Sequence, residues 1–140
     1  RMTDIAAAIG ICQLKRLDEA NSRREENADF LTGEIGKIDG LTTPYVAPNR
    51  RHVYHQYTIR ISNDYRLSRG DLQRILSQGN VGCAVHYPIP IHKQPLYANL
   101  GYKDYLPMAE LAAKQVLSLP VHPRLAQWEL EQIVKVLRDA

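Results

Sequence analysis

The stretch Val85 to Tyr97, VHYPIPIHKQPLY, gathers three prolines, two histidines and two tyrosines into thirteen residues. Imidazole and phenol hydrogen-bond to the hydroxyl and phosphate oxygens of polar ligands, and both offer a flat face for stacking. Pro88 and Pro90 fix φ on alternate residues, so holding this segment extended costs little further entropy. His86, Tyr87 and His92 are therefore candidate ligand contacts; on residue pattern alone, a stiff connector with solvent-exposed rings is an equal reading. Five histidines and two cysteines also raise a zinc site. His52 and His55 are three apart, His86 and His92 six apart, and Cys83 lies three before His86. Structural zinc prefers tightly paired ligands, and no such quartet occurs, so no metal is expected. There is no nucleophile elbow, and Gly33 and Gly36 follow no strand that could make them a phosphate loop. The chain shows no reaction centre of its own.

The elements that must carry these residues follow from periodicity. Ile5, Ile9, Cys12, Leu14 and Leu17 recur at helical spacing, Thr3 is placed to cap, and no proline interrupts the run to about Leu31, so one long helix ending at Gly33 or Gly36 is expected. Its Ala6-Ala7-Ala8 half leaves room for a partner to approach closely, whereas the ANSRREENAD half should be solvated. Val53 to Ile61 alternate, placing Val53, His55, Tyr57, Ile59 and Ile61 on one strand face. Ser68 has capping-box spacing before Leu72, Ile75 and Leu76, with Gly79 as the stop. Val81, Cys83, Val85 and Tyr87 alternate in a second strand that Pro88 ends, with Cys83 and His86 on opposite faces. Pro107 opens a further helix with Ala109, Ala112, Ala113 and Val116 as its packing stripe. Ser118 to Pro123 should be extended. From Gln127 the apolar residues Leu130, Ile133, Val134 and Leu137 form one helical face, with Trp128 near its start. The sum is an α+β domain with helices on a small, mainly antiparallel sheet.

Composition bounds the rest. A chain of 140 residues that is 44% hydrophobic and 24% charged fits one soluble globular domain. The 18 Lys and Arg interleave with 15 Asp and Glu, giving no basic block for nucleic acid. No apolar run approaches the roughly 18 residues of a membrane span, so no membrane partner is expected. Cys12 and Cys83 read as reduced core thiols in a cytoplasmic protein. The start Arg-Met-Thr-Asp has no signal-peptide layout, and opening on Arg1 directly into a helix suggests a piece of something longer.

Several ordered segments then resemble one family. They are RMTDIAAAIG at the start, QLKRL at 13–17, YHQYTIR at 54–60, VHYP at 85–88 with His92 and QPLY at 94–97, and LSLPVHP at 117–123. Together the chain resembles the C-terminal part of the DegT/DnrJ/EryC1/StrS aminotransferases. The resemblance implies the small C-terminal domain of the type I pyridoxal-phosphate fold, with residues 1–34 as a helix linking to a preceding large domain and 35–140 as the small domain. It implies pyridoxal 5'-phosphate as cofactor, a nucleotide-linked keto sugar as substrate, an amino acid such as glutamate as donor, and a homodimer. The cofactor would act as the electron sink while the protein positions it and the substrate. Arg1 matches the segment that approaches the neighbouring subunit's cofactor phosphate, and His86, Tyr87 and His92 the stretch bordering the sugar-nucleotide pocket. None of Lys15, Lys37, Lys93, Lys103, Lys114 and Lys135 stands in the context of the family's Schiff-base lysine, so no catalytic residue is assigned and this chain alone is expected to be inactive. Two other readings remain: a stand-alone binding or regulatory module derived from that domain, and a structural dimerisation domain.

Overall fold

The structure, a computed structural model, describes residues 2–140. Arg1, the expected phosphate contact, lies outside the described residues. In chain order the elements are α1 (Asp4–Leu14), α2 (Leu17–Ile35), β1 (Leu41–Thr42), β2 (Tyr57–Ile61), α3 (Arg69–Gln78), a 3-10 turn (Ile91–Lys93), α4 (Pro95–Asn99), α5 (Pro107–Gln115), β3 (Val116–Leu119) and α6 (Gln127–Asp139). The strands form an antiparallel sheet in the order β1-β2-β3. This is the expected α+β architecture.

Register explains how the sheet has two chemistries. Tyr57 pairs with Leu119 and Ile59 with Leu117, and these four side chains are buried on one face. Thr58 pairs with Ser118 and Arg60 with Val116, so the alternate positions carry the polar groups to the other face. Against the apolar face pack Ala28, Leu31 and Ile35 of α2, Leu72 and Leu76 of α3, and Leu130, Ile133, Val134 and Leu137 of α6. Each fully buried Leu or Ile here contributes about 1.5–3 kcal/mol relative to exposure.

Local signals place the helix ends. Thr3 Oγ1 accepts from Ala6 N at 3.3 Å, and Ser68 Oγ accepts from Asp71 N at 3.2 Å. Pro107 occupies the first turn of α5, and Gly79 caps α3. The turn before β1 depends on Gly40, whose φ is +82°; its carbonyl accepts from Ser62 N at 2.8 Å.

Four expectations need correction. The N-terminal helix is two helices: at Lys15 and Arg16 the chain tightens into a turn in which Arg16 N donates to Gln13 O at 3.0 Å, and Arg16 has ψ 0°. QLKRL contains no glycine or proline to announce that break. The strand expected from Val53 begins only at Tyr57. Tyr54 has φ +44° and turns inward to be buried, its amide donating to His52 Nδ1 at 2.9 Å, while Val53 is exposed. One left-handed residue thus reverses the alternation and puts Val53 and His55 outside the core. The second strand is reduced to a single bridge between Ala84 and Ser118 at the sheet edge. Cys12 is exposed on α1, whose residues are all unburied, so it is not a core thiol. Cys83 is partly buried, and burial pushes its thiol pKa up.

Candidate active-site wall

The Ala84 bridge sets the direction of the candidate stretch. Ala84 N donates to Ser118 O at 3.1 Å and Ser118 N to Ala84 O at 2.8 Å, which clamps the chain two residues before His86. Ser118 is buried, and its side chain lies on the sheet face away from the core. There a polar row crosses the strands. Thr58 Oγ1 and Ser118 Oγ are 2.9 Å apart, Ser118 Oγ is 3.4 Å from His86 Nδ1, and Gln56 Nε2 is 3.2 Å from the same nitrogen. The His86 and Tyr87 rings meet edge to face with centroids 5.7 Å apart.

Beyond Tyr87 the expected extended strip is only partly present: the chain bends at Pro88 and Ile89, and Pro90, with φ −62° and ψ 153°, is extended and delivers the chain into the Ile91–Lys93 turn. Lys93 N donates to Pro90 O at 3.0 Å, and Gln94 Nε2 reaches back to Ile89 O at 3.0 Å, tying the turn to the strip. His92 Nε2 then lies 3.2 Å from Glu110 Oε1, and Lys93 Nζ 2.5 Å from Glu110 Oε2. These hydrogen bonds, from Lys93 first and His92 second, hold the Glu110 carboxyl below the usual carboxylate range.

His86, Tyr87 and His92, chosen from sequence, come together on one open cleft of ≈ 590 Å³. Its other walls are Tyr97 and Tyr102, whose rings meet edge to face at 5.8 Å, and the small residues Ala109 and Ala112 of α5. Sequence reading missed Glu110, Gln56, Ser118 and Tyr102 as members of this neighbourhood. No spacing rule announces them, because each reaches the site from a different element.

The cleft is apolar beneath its polar rim, which suits a ligand with a flat or hydrophobic face and hydroxyl edges. It lies in a wider uncovered region, since no residue from Gly82 to Ala112 is buried. Tyr87, Ile91, Leu100, Tyr105 and Met108 all present most of their surface to solvent, as do Ile5, Ile9 and Leu14 on α1. Exposed apolar surface of this kind occurs where a protein meets a partner, a membrane or a ligand. A second groove, ≈ 650 Å³, runs between α1 and α2 and is lined by Arg16, Arg24 and Arg124. It collects no ring donors and acceptors, so the His86 to His92 cleft is the better ligand site.

Among the described residues no three His, Cys, Asp or Glu side chains converge to hold a metal, and no helix is long and apolar enough to cross a membrane. The His86 to His92 cleft by itself does not fit pyridoxal phosphate. No lysine, arginine or carboxylate lines the cleft, and the ammonium of Lys93 beside it is held by Glu110.

The model of the DegT/DnrJ/EryC1/StrS aminotransferase family matches residues 1–138. A UDP-2-acetamido-2-deoxy-3-oxo-D-glucuronate aminotransferase of Pseudomonas aeruginosa is 38% identical over 139 residues, covering 99% of this chain and 36% of that protein. A dTDP-3-amino-3,4,6-trideoxy-alpha-D-glucose transaminase of Streptomyces venezuelae is 33% identical over 141 residues, again covering 99% of this chain and 36% of the relative. The crystal structure of S. venezuelae DesV with a ketimine intermediate superposes with TM-score 0.90 at 31% identity, covering 99% of this chain and 36% of that one. The chain thus spans little more than a third of the length of these relatives. With the family match running nearly end to end and the fold agreeing, the chain belongs to the DegT/DnrJ/EryC1/StrS aminotransferase family.

Proposed function

We propose that these residues are the C-terminal domain of a pyridoxal-phosphate-dependent aminotransferase acting on nucleotide-linked keto sugars, and that they supply one wall of the substrate pocket and part of a homodimer interface. The observation that carries this reading is the cleft in which His86, Tyr87 and His92 meet, within a chain matched by the family from residue 1 to 138. Residues 1–34 serve as the link to a large domain and 35–140 as the small domain. The exposed Ile5, Ile9 and Leu14 on α1 support a covered face there. The cofactor and the lysine that holds it belong, on this reading, to the part of the relatives' length that this chain does not span. No step of the reaction is therefore assigned to the residues described here, and the 140-residue chain alone should not turn over. Arg1 is kept as the proposed contact to the cofactor phosphate of a neighbouring subunit.

Within that frame the chain's residues bind and orient. Tyr87 and Tyr97 offer faces for a sugar or base, the His86 and His92 imidazoles offer hydrogen bonds to hydroxyls, and the Ala-lined α5 surface keeps one side dry. A second reading, a binding or regulatory module, draws on a relative named as a pleiotropic regulatory protein in Geobacillus stearothermophilus, 36% identical over 142 residues. One experiment separates the two. The native gene product is incubated with pyridoxal phosphate, glutamate and dTDP- or UDP-linked keto sugars, and product is followed by mass spectrometry. Formation of an aminated nucleotide sugar supports the enzyme; nucleotide-sugar binding without amination under every donor tried supports the module.

A further inference from the structure

The two imidazoles of the cleft are held by opposite kinds of partner. Glu110, in the first turn of α5 and 18 residues beyond His92, places Oε1 3.2 Å from His92 Nε2 while Lys93 holds Oε2 at 2.5 Å. The His92 side chain is only 8% exposed and that of Glu110 15%, so water competes little for this contact. An ionised carboxylate has no proton to give. Nε2 of His92 therefore carries the hydrogen and donates it, and in the neutral form of the ring Nδ1 is the acceptor. No protein hydrogen bond to that Nδ1 occurs among the described residues, and it is not a buried unsatisfied atom.

His86 shows the reverse. Gln56 Nε2 donates to His86 Nδ1 at 3.2 Å, with Ser118 Oγ 3.4 Å from the same atom. Nδ1 is thus the acceptor, and the ring hydrogen of the neutral imidazole sits on Nε2 as a donor. One ring of the cleft keeps a donor for a ligand and the other keeps an acceptor.

We propose that Glu110 is a positioning residue: it fixes His92 in the Nε2–H tautomer so that Nδ1 accepts from a ligand hydroxyl, while Gln56 sets His86 to donate. A sugar hydroxyl, which both donates and accepts, satisfies either ring. An ionised phosphate oxygen satisfies His86 only, because it meets a lone pair at His92 Nδ1. The inference rests on the cleft being the sugar-nucleotide wall, and it assigns the sugar, not the phosphates, to the His92 side. It is a specificity device built from Glu110, a residue in none of the sequence motifs that resemble the family.

The test reads the tautomer directly and does not depend on turnover. Native protein labelled with [15N]histidine is examined by long-range 1H–15N correlation at neutral pH. His92 is expected as Nε2–H in the wild type and in Glu110→Gln, whose amide oxygen still accepts, and as a mixture of tautomers in Glu110→Leu. Lys93→Met should leave it unchanged. An Nδ1–H tautomer or a doubly protonated ring in the wild type overturns the proposal without need of any variant, and so does an unaltered spectrum in folded Glu110→Leu. In parallel, KM for the nucleotide sugar should rise about tenfold in Glu110→Leu and recover in Glu110→Gln, the size expected for one lost hydrogen bond, with the amino-donor half-reaction unchanged. A tautomer that responds while KM stays constant overturns the hydroxyl contact and the wall reading of His92 with it. A tautomer that does not respond overturns the positioning role alone, leaving the wall reading to Tyr87 and His86.

Discussion

Asn27 Nδ2 donates to the main-chain oxygen of His122 at 3.0 Å, joining the middle of α2 to the segment that follows β3. Asn27 is 4% exposed, so the amide has little water to turn to if that partner is lost. Replacing it strands a carbonyl at the edge of the core. Asn27→Ala is expected to lower the free energy of unfolding by about 1–3 kcal/mol, measured by urea denaturation. His122→Ala keeps the main-chain acceptor and should stay within about 1 kcal/mol of wild type; equal losses in the two variants would show that the side-chain to main-chain bond is not the source.

Gly40 stands where no other residue fits. Its φ is +82°, and a Cβ there would lie 2.6 Å from the main-chain N and Cα of Tyr65. Tyr65 is itself fixed, with its hydroxyl donating to Leu137 O at 3.0 Å. Both the backbone and the neighbour therefore resist a methyl group, and Gly40→Ala should destabilise by more than about 1 kcal/mol. A melting temperature equal to that of wild type would contradict this account of the turn.

The cleft wall makes a kinetic prediction. Tyr87 is 74% exposed in this chain and makes few contacts that stability depends on. On the proposed function, Tyr87→Ala and His92→Ala in the full-length protein should raise KM for the nucleotide sugar and leave the amino-donor half-reaction near wild type. Equal loss in both half-reactions would instead mean that the changes damage folding or cofactor binding.

Glu110 carries a pH signature of its own. Its pKa in the folded chain is lowered from 4.5, mainly by the Lys93 hydrogen bond and then by His92. A lowered folded-state pKa means that the unfolded chain takes up the proton first as acid is added. The stability from this carboxylate is therefore fully present above pH 4.5 and is lost as pH falls through the lower folded value. Wild type minus Glu110→Gln should give a stability difference that closes as the buffer is taken below pH 4.5. A difference that persists unchanged well below pH 4.5 would exclude the pairing.

The parts of this protein that were legible in the sequence are those decided by near neighbours along the chain. Leu130, Ile133, Val134 and Leu137 share one helical face, and all four are buried. Ser68 and Pro107 mark their helix starts because caps and fixed φ act within one turn. The candidate ligand residues were legible for a similar reason: proline stiffening and ring chemistry are properties of thirteen consecutive residues.

Tertiary structure decided what depends on distant partners or on a single backbone reversal. The left-handed turn at Tyr54 moved Val53 and His55 off the core face, although every residue there suits a strand. The helix breaks at Lys15 and Arg16 with no breaker in the sequence. Glu110 meets His92 across 18 residues, Gln56 meets His86 across 30, and Thr58 meets Ser118 across 60. Periodicity has no term for such pairs, because hydrogen bonds between elements are set by sheet register and helix placement. The sequence by itself marked His86, Tyr87 and His92 as candidate rings, and only the fold gave the two imidazoles their partners, Gln56 for His86 and Glu110 for His92, because those contacts depend on how separate elements are placed.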